Sequence, residues 1–245
     1  EGVDVRAVRT RAERRTGVTL VEVGADGERR FWPFREHSAD LSIGPADVDP
    51  RVLRGAALVH TGTVSMRMPA SRAATKQLVA AARARGVIVS LDVNLRWGMF
   101  PSRTLLLRVA RAALRAADVV KATREEARVL LDAPRAQDQE LAERLLARGP
   151  QLVAITADAE GALIATASAA VHVAAPAATV VDATGAGDAF VGATLAALCR
   201  AGVTRAALAV LDAGALHALG RAGCAAGAAA VTELGATTAM ARRLD

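Results

Sequence analysis

Short β-prone runs and longer helical patterns alternate along residues 57–156, and this alternation restricts the chain to few folds. Runs of branched apolar residues predict strands at 57–60, 87–92, 118–121 and 152–156. Helices are predicted between and after them, at 71–85, 104–116, 124–131 and 137–147. Strand-helix repeats of this kind predict a mainly parallel sheet that helices cover on both faces. Ligands of such sheets bind at the carboxyl ends of the strands.

Two hairpins and a helical C-terminal third complete the pattern. Residues 19–34 form two β-prone runs around Asp26-Gly27, a dipeptide that favours a tight hairpin turn. A second hairpin is predicted through 161–173. We then expect a strand at 179–182 and a glycine-rich turn, followed by helices at about 188–201, 205–219 and 223–230.

Composition indicates one domain over residues 1–245. Of the 245 residues 52% are hydrophobic, which suffices for one sizeable core. No run of eighteen uncharged apolar residues occurs, and the first residues lack the layout of a signal peptide, so we expect a soluble cytoplasmic protein without a membrane partner. The two cysteines, Cys199 and Cys224, lack metal-ligand spacing, so neither a disulfide framework nor a zinc site is indicated.

The net charge of +6 is compatible with an anionic partner. The basic residues are nearly all arginine and are scattered along helical stretches, which is typical of solvated helix faces. Aromatic residues that could stack on bases make up only 2% of the chain. We therefore expect no nucleic-acid partner, whereas a small anion such as ATP would suit the positive surface.

The segment Asp182-Ala-Thr-Gly-Ala-Gly-Asp-Ala-Phe190 carries the strongest chemical signal. Its glycines let backbone amides approach an anion at a helix N-terminus, where the amides carry partial positive charge. Asp188 could accept the proton of an attacking hydroxyl beside a phosphoryl group held there. An ordinary helix cap explains the same residues equally well. The spacing matches neither the P-loop nor the dinucleotide fingerprint.

These nine residues resemble the C-terminal signature of PfkB, or ribokinase-like, sugar kinases, usually Asp-Thr-Thr-Gly-Ala-Gly-Asp-Ala-Phe, and depart from it only at Ala183. Residues 35–40 are similar to the Arg-x-x-Ser-Ala-Asp stretch of fructokinase-like members. Residues 92–96 resemble the Asp-Pro-Asn-x-Arg segment, and 231–236 resemble the C-terminal Gly-Ala loop. The resemblance implies a three-layer α/β/α fold with a mainly parallel sheet and a small β-lid that includes 17–42.

The resemblance also implies roles in catalysis and sugar binding. Asp188 would be the base on the sugar hydroxyl, and the three residues before it would form the anion hole. Asn94 and Arg96 would line the space between sugar and phosphate, although Asn94 could instead cap a turn and Arg96 could pair with a surface acid. The residues with implied catalytic roles are Gly185, Ala186, Gly187 and Asp188, and those implied to bind substrate are Arg35, Asn94, Arg96 and Asp188.

Binding of ATP with Mg²⁺ follows from the same resemblance. Residues 156–161 would form the loop beneath the nucleotide, but Asp158 lies where the family usually has glycine, and an acid near phosphates is unfavourable. Glu126 would help to organise magnesium and its water, or it is a solvated helix carboxylate. Cys224 would lie beside adenine, or it is a small buried helix residue. The residues with implied nucleotide contacts are Thr123, Thr156, Gly161, Gly187 and Cys224, and Thr123 replaces a usual asparagine.

A monovalent cation such as K⁺ binds next to the anion hole in many family members. Backbone oxygens would supply most of the ligands here, and only Asp182 and Thr184 offer side chains typical of that site. The corresponding positions are Asp182, Thr184, Ala230, Glu233 and Gly235.

Three functional hypotheses are favoured over a fourth, an ADP-dependent or nucleoside-specific kinase. The first is transfer of the ATP γ-phosphoryl group to a sugar hydroxyl, as in fructokinases, by a homodimer. The second is a 2-keto-3-deoxygluconate kinase, in which Arg35 and Arg96 would bind the substrate carboxylate. The third is a non-catalytic sugar or nucleotide binder, which the altered nucleotide loop favours and the retained Asp188 disfavours. Family members normally begin with a strand and a Gly-Gly signature that this sequence lacks, so we expect an incomplete sugar site.

Overall fold

The computed structural model describes residues 3–23 and 29–239. A two-stranded antiparallel hairpin comes first and is separate from the main sheet. It consists of β1 (Val18–Val23) and β2 (Arg29–Phe34), in a register that pairs Val18 with Phe34. The hairpin therefore confirms the predicted flap, and its turn at Asp26-Gly27 lies outside the described residues. The assignment of 17–42 to a lid stays a prediction.

The main sheet has six strands whose spatial order follows the chain. The first four run parallel, and the last two are antiparallel to their neighbours. The bounds are β3 (Leu58–Gly62), β4 (Ile88–Asp92), β5 (Val119–Thr123), β6 (Leu152–Thr156), β7 (Ala162–Ala165) and β8 (Ala170–Val173). The mainly parallel sheet predicted from the alternating pattern is confirmed, with shifts of one or two residues at several ends.

Six α-helices flank this sheet in the part of the chain that the structure covers. They are α1 (Pro69–Arg83), α2 (Arg103–Ala116), α3 (Arg124–Leu131), α4 (Asp138–Leu146), α5 (Ala186–Arg200) and α6 (Ala213–Ala230). Short 3-10 helices occur at Ala39–Ser42, Pro45–Asp47, Pro50–Leu53, Thr63–Met66, Trp97–Met99, Asp158–Glu160 and Arg205–Val210. None of the described helices is both long and apolar enough to cross a membrane.

Two apolar cores lie on opposite faces of the sheet because successive strand residues point in opposite directions. Val89 of β4 packs into the core that α1 to α4 cover, which includes Leu106 and Leu141. Its neighbour Ile88 packs into the other core, beneath α5 and α6, with Phe190 and Leu216. The three-layer α/β/α arrangement implied by the family resemblance is therefore confirmed.

Two predictions about the C-terminal third were wrong, the strand at 179–182 and the division of 205–230 into two helices. Residues 179–182 form no strand: Val180 and Val181 are exposed, and the amide of Val181 bonds to a loop carbonyl, that of Val231, rather than to a strand. The helix predicted at about 188–201 is confirmed as α5, which begins two residues earlier, at Ala186, with Gly185 as its N-cap at φ +86°.

The two predicted helices at 205–219 and 223–230 are instead a 3-10 helix followed by the single α6. Glycine lowers helix propensity, which favours a break when the sequence is considered alone. Gly223 remains within α6 because the helix packs there closely against α5: an added Cβ would lie 2.6 Å from Phe190 Cε2. Tertiary packing has overridden the local preference.

Candidate active site

A buried ion pair lies near the carboxyl ends of β4 and β5. The parallel register of the two strands pairs Asp92 directly with Lys121. Lys121 Nζ lies 3.3 Å from Asp92 Oδ1 and 3.5 Å from Oδ2. Both residues are less than 10% exposed, so the pair is shielded from water. Sheets of this kind bind ligands at this edge, and a charged pair here can serve a site as well as the fold.

Further acids surround this pair. The pKa of Asp92 is raised to about 6, chiefly by burial; the charges of Glu126 and Asp188 contribute to the rise, and Lys121 opposes it. An isolated buried carboxylate is disfavoured in its charged form, and nearby negative charge adds to that effect. The charge of Asp188, on α5, therefore acts on Asp92 at the carboxyl end of β4.

The turn before α5 has the backbone expected of an anion hole. Gly185 lies in the left-handed region, and a Cβ there would come within 2.5 Å of the carbonyl oxygen of Ala236, so only glycine fits. Ala186 and Gly187 open the helix, and the first amides of a helix lack intrahelical acceptors; the Ala186 amide donates to the carbonyl of Ala183 in the preceding turn at 3.3 Å. Asp188 is exposed in the same first turn. These residues provide N–H donors and a carboxylate side by side.

Lys121 lies beside this turn. A Cβ built on Gly187 would be 3.1 Å from Lys121 Nζ and 3.9 Å from its Cε. A side chain at position 187 would thus displace the ammonium group. The first turn of α5 and the buried ion pair form one continuous site.

Glu126 and Thr123 form a capping box at the start of α3. The Thr123 hydroxyl accepts the Glu126 amide at 3.1 Å, and Glu126 Oε2 accepts the Thr123 amide at 3.0 Å. The other oxygen, Oε1, accepts the amide of Leu95 at 2.7 Å. Glu126 therefore holds the loop after β4 against α3. The sequence alone did not predict this contact.

The loop after β4 contains two of the predicted sugar contacts. Asn94 is half-buried with φ +38°, and its carbonyl accepts the Thr63 hydroxyl at 3.0 Å. Asparagine tolerates this left-handed backbone better than most residues, which agrees with a turn role. Arg96 is exposed at the start of the following 3-10 turn. Their contact with a substrate stays a prediction.

Arg35 comes from the hairpin side of the molecule. Its guanidinium forms an ion pair with Asp40. It also lines a cavity of about 110 Å³ together with Val64, Arg67 and Met99. The cavity joins the end of β2 to the loops that follow β3 and β4, so Arg35 lies next to segments that adjoin the site.

The predicted nucleotide loop is a tight turn between β6 and β7. Thr156 ends β6, and the 3-10 turn Asp158–Glu160 leads to Gly161 with φ +97°. A Cβ on Gly161 would lie 2.0 Å from the carbonyl oxygen of Val173, which makes glycine obligatory for the fold. The glycine thus has a structural cause, and its nucleotide contact stays a prediction.

Cys224 is buried in α6, with its Sγ 3.6 Å from the carbonyl oxygen of Val173. Burial raises the pKa of the thiol, so the side chain stays protonated at neutral pH. This environment is that of a small apolar packing residue. Proximity to a nucleotide base stays a prediction.

Three of the five residues predicted for a monovalent cation meet before α5. The Asp182 carboxylate is buried and accepts the amides of Thr184 and Gly235, each at 2.9 Å. The Thr184 hydroxyl is buried and has no hydrogen-bond partner among the described residues. Ala230 ends α6, next to Val231, whose carbonyl accepts the Asp182 amide, whereas Glu233 is exposed. A buried carboxylate and an unsatisfied hydroxyl oxygen are donors that suit an alkali cation.

Sequence reasoning missed Lys121, His60 and Arg124. The signal for Lys121 was present, as a lysine that ends the predicted strand 118–121 directly after two valines. His60 Nδ1 lies 3.1 Å from the Ser90 hydroxyl. Desolvation lowers the pKa of His60, the charge of Asp188 opposes that shift, and Lys121 adds to it. Long-range placement of this kind depends on strand register, which the local pattern does not contain.

The chain is similar in sequence to known carbohydrate kinases. The chain matches the description "pfkB family carbohydrate kinase" over residues 1–243. Fructokinase-2 of Solanum lycopersicum is 31% identical over 194 residues, which make up 79% of this chain and 59% of that protein. The chain thus spans about three fifths of the length of this relative.

Two solved structures share the fold. Fructokinase from Xylella fastidiosa with bound ATP has a TM-score of 0.85 at 30% identity and covers 94% of this chain and 71% of that one. A fructokinase double mutant from Vibrio cholerae O395, bound to fructose, ADP and potassium ion, has a TM-score of 0.81 at 27% identity, with 97% and 73% covered. From the match over almost its whole length, the chain belongs to the pfkB family of carbohydrate kinases.

Proposed function

We propose that this chain carries the phosphoryl-transfer site of an ATP-dependent sugar kinase with a fructokinase-like acceptor. One observation carries the proposal: the Asp188 carboxylate occupies the first turn of α5, directly after the Gly185-Ala-Gly187 turn, and Gly187 lies against the ammonium of Lys121. A base, an anion-binding helix terminus and a cation are the parts that phosphoryl transfer needs.

The reaction follows from these parts. The sugar hydroxyl oxygen forms a bond to the γ-phosphorus, and the bond from that phosphorus to the bridging oxygen of ATP breaks. The electron pair of the broken bond stays on ADP, and the hydroxyl proton passes to the Asp188 carboxylate. The amide of Gly187, at the N-terminus of α5, offsets negative charge on the transferring group.

Nucleotide and magnesium binding involve the neighbouring loops. Residues 156–161 would lie beneath the nucleotide, at the carboxyl end of β6. Each oxygen of Glu126 already accepts one main-chain amide, and each keeps a second lone pair for a metal-bound water. Magnesium bound with ATP would supply charge neutralisation on the phosphates.

A potassium site next to the anion hole is also part of the proposal. Asp182, Thr184 and the carbonyls around Ala230 and Gly235 would supply its ligands, with Glu233 at the rim. Potassium should raise the melting temperature of the wild type more than choline does at equal ionic strength. Thr184→Val should remove that difference, because it replaces the unsatisfied hydroxyl by a methyl group of similar size.

The acceptor is best matched by a neutral keto-sugar. Likeness to fructokinases in residues 35–40 and in both solved relatives supports fructose. A 2-keto-3-deoxygluconate kinase needs cations for the substrate carboxylate, but Arg35 is already paired with Asp40. The proposal includes a cytoplasmic location, where ATP is available to the enzyme.

A homodimer is proposed through the hairpin. Leu20, Trp32 and Phe34 are each more than half exposed, which leaves apolar surface on β1 and β2. Light scattering after size exclusion would test the assembly, and Trp32→Lys should shift a dimer towards monomer.

The alternative of a non-catalytic binder has one specific observation in its favour. Asp158 lies in the predicted nucleotide loop with φ +45°, where its charge is unfavourable near phosphates. Such a binder would hold sugar or nucleotide without turnover. Sugar-dependent ADP release therefore separates the two functions.

The test is a coupled ADP-release screen over fructose, other ketoses, aldoses and 2-keto-3-deoxygluconate, with the protein at its full natural length. Asp188→Asn should lower kcat by about a hundredfold or more and leave ATP binding close to wild type. Asp132→Asn is the matched control, since Asp132 is an exposed carboxylate at the end of α3. Ligand binding without ADP release from any sugar would favour the binder.

A further inference from the structure

Lysine is rare in this chain, and one lysine is buried in the candidate site. Of the 31 basic residues only Lys76 and Lys121 are lysine. Lys76 is exposed on α1, whereas Lys121 is 8% exposed within β5. A lysine ammonium is compact, while a guanidinium is broad and planar. The compact group fits the narrow space between Asp92 and Gly187.

The charges around Lys121 are mainly negative. Asp92 lies within 3.5 Å of its Nζ, and both Glu126 and Asp188 act electrostatically on Asp92. Lys121 is the one cation that acts in the opposite direction on Asp92 among the described groups. Without this ammonium, three carboxylates would face an incoming triphosphate, and like charges repel strongly at short range.

The position of the ammonium is that of a phosphate ligand. It lies against Gly187, whose amide belongs to the anion hole, and a side chain at position 187 would block it. The Asp92 contacts of 3.3 and 3.5 Å are longer than the usual charge-assisted hydrogen bond of about 2.7–2.9 Å. The ammonium therefore has room to turn towards a third partner, and it carries three donors.

We propose that Lys121 is a catalytic residue whose ammonium contacts the transferring phosphoryl group, and that Asp92 is the positioning residue that holds it. The inference rests on the proposed function, since it requires phosphoryl transfer at α5. Lys121 takes no proton in the reaction: the proton passes to Asp188 and the electron pair to ADP. The ammonium offsets the charge that spreads over the phosphoryl oxygens during transfer.

Substitutions of Lys121 and of Asp92 should have different effects on the affinity for phosphate. Lys121→Met keeps the length of the side chain and removes its charge, so kcat should fall about a hundredfold and the affinity for inorganic phosphate should fall about tenfold. Asp92→Asn removes the competing carboxylate, so phosphate should bind at least as tightly as in the wild type. Lys76→Met is the matched control and should leave both measurements unchanged.

A purely structural ion pair predicts a different pattern. Phosphate affinity would then fall equally in Lys121→Met and Asp92→Asn, through a shared loss of folding, and this result would overturn the inference. Unchanged kcat and phosphate affinity in a folded Lys121→Met variant would overturn it as well. Circular dichroism and thermal melting establish which variants are folded.

Amine labelling of the wild type keeps the inference testable if Lys121→Met does not fold. Acetylation of the two lysines is measured by mass spectrometry with and without phosphate or MgATP. Protection of Lys121 with unchanged labelling of Lys76 supports the contact, and equal labelling of Lys121 in all samples contradicts it. A wild type that shows this protection but releases no ADP with any sugar would overturn the proposed function and still support the anion contact.

Discussion

Arg124 donates two hydrogen bonds to Glu160, at 2.8 and 2.9 Å, and two more to Asp138, at 2.7 and 2.8 Å. Arg124 begins α3, Asp138 begins α4, and Glu160 ends the turn of the predicted nucleotide loop. A planar guanidinium that binds two carboxylates in this way fixes both the distance and the angle between them. One side chain thus anchors the loop to two helices.

Replacement of this anchor should affect the nucleotide and not the sugar. In Arg124→Gln we expect the KM for ATP to rise several-fold, because the loop loses the contacts that hold its position before the nucleotide binds. The KM for the sugar should change less than twofold. Steady-state kinetics with each substrate varied in turn measures both constants.

The control for Arg124 is Arg144→Gln, which breaks an exposed pair with Glu140 four residues earlier on α4. Exposed pairs of this kind contribute only about 0.3–0.5 kcal/mol, so its kinetics should match the wild type. An unchanged KM for ATP in Arg124→Gln would mean that the loop is held by its backbone alone.

Close packing between α5 and α6 predicts opposite effects for two Gly→Ala changes. At Gly223 the new methyl group would lie 2.6 Å from both Phe190 Cε2 and Thr194 Oγ1, and overpacking of this kind costs about 1–3 kcal/mol. At Gly192 the methyl group meets open space, and alanine should stabilise the helix by up to about 1 kcal/mol. Urea unfolding should show a lower free energy of unfolding for Gly223→Ala and a higher one for Gly192→Ala. Equal values would contradict the packing argument.

Much of the fold is predictable from the sequence because its strands and helices carry strong local patterns. The runs at 152–156 and 124–131 are apolar or amphipathic over their whole length, and the structure places β6 and α3 at those same residues. The segment 179–182 has the same branched composition but pairs with no strand among residues 3–23 and 29–239. A β-prone run becomes a strand only when a partner strand is available, which local composition does not show.

The site was predictable where a motif specifies the backbone. The glycine turn before Asp188 requires left-handed backbone at Gly185, so its shape follows from residue type. Lys121 was not identified, because its relation to Asp92 and Gly187 arises from the register of β4 and β5 and from the docking of α5. Contacts between residues distant in sequence depend on tertiary structure.

Asp118 is a buried acid that supports the amino end of the sheet. Its carboxylate accepts the Val89 amide at 2.9 Å and Arg205 Nε at 2.9 Å, and it is 2% exposed. Asp118→Ala would leave the buried amide without this acceptor and the arginine without its partner, so the free energy of unfolding should fall by roughly 2–4 kcal/mol. Glu140→Gln, in the exposed pair on α4, should change it by less than about 0.5 kcal/mol. A loss of similar size in both variants would show that the Asp118 contacts add no stability.

The raised pKa of Asp92 predicts a specific dependence of stability on pH. The folded state holds this proton up to about pH 6, whereas an unperturbed aspartate releases it near 3.8. Between these values the folded state binds more protons than the unfolded state, so the contribution of Asp92 to stability is full below about pH 4 and is lost as the pH rises towards 6. Relative to Asp92→Asn, which cannot titrate at this position, the wild type should lose on the order of 3 kcal/mol of unfolding free energy between pH 4 and pH 7.

Urea unfolding of both proteins at four pH values across this range measures the difference, with Asp132→Asn as an exposed control for the loss of one carboxylate. A constant difference between wild type and Asp92→Asn would mean that Lys121 compensates fully for the burial of Asp92, and that folding does not raise the pKa of Asp92.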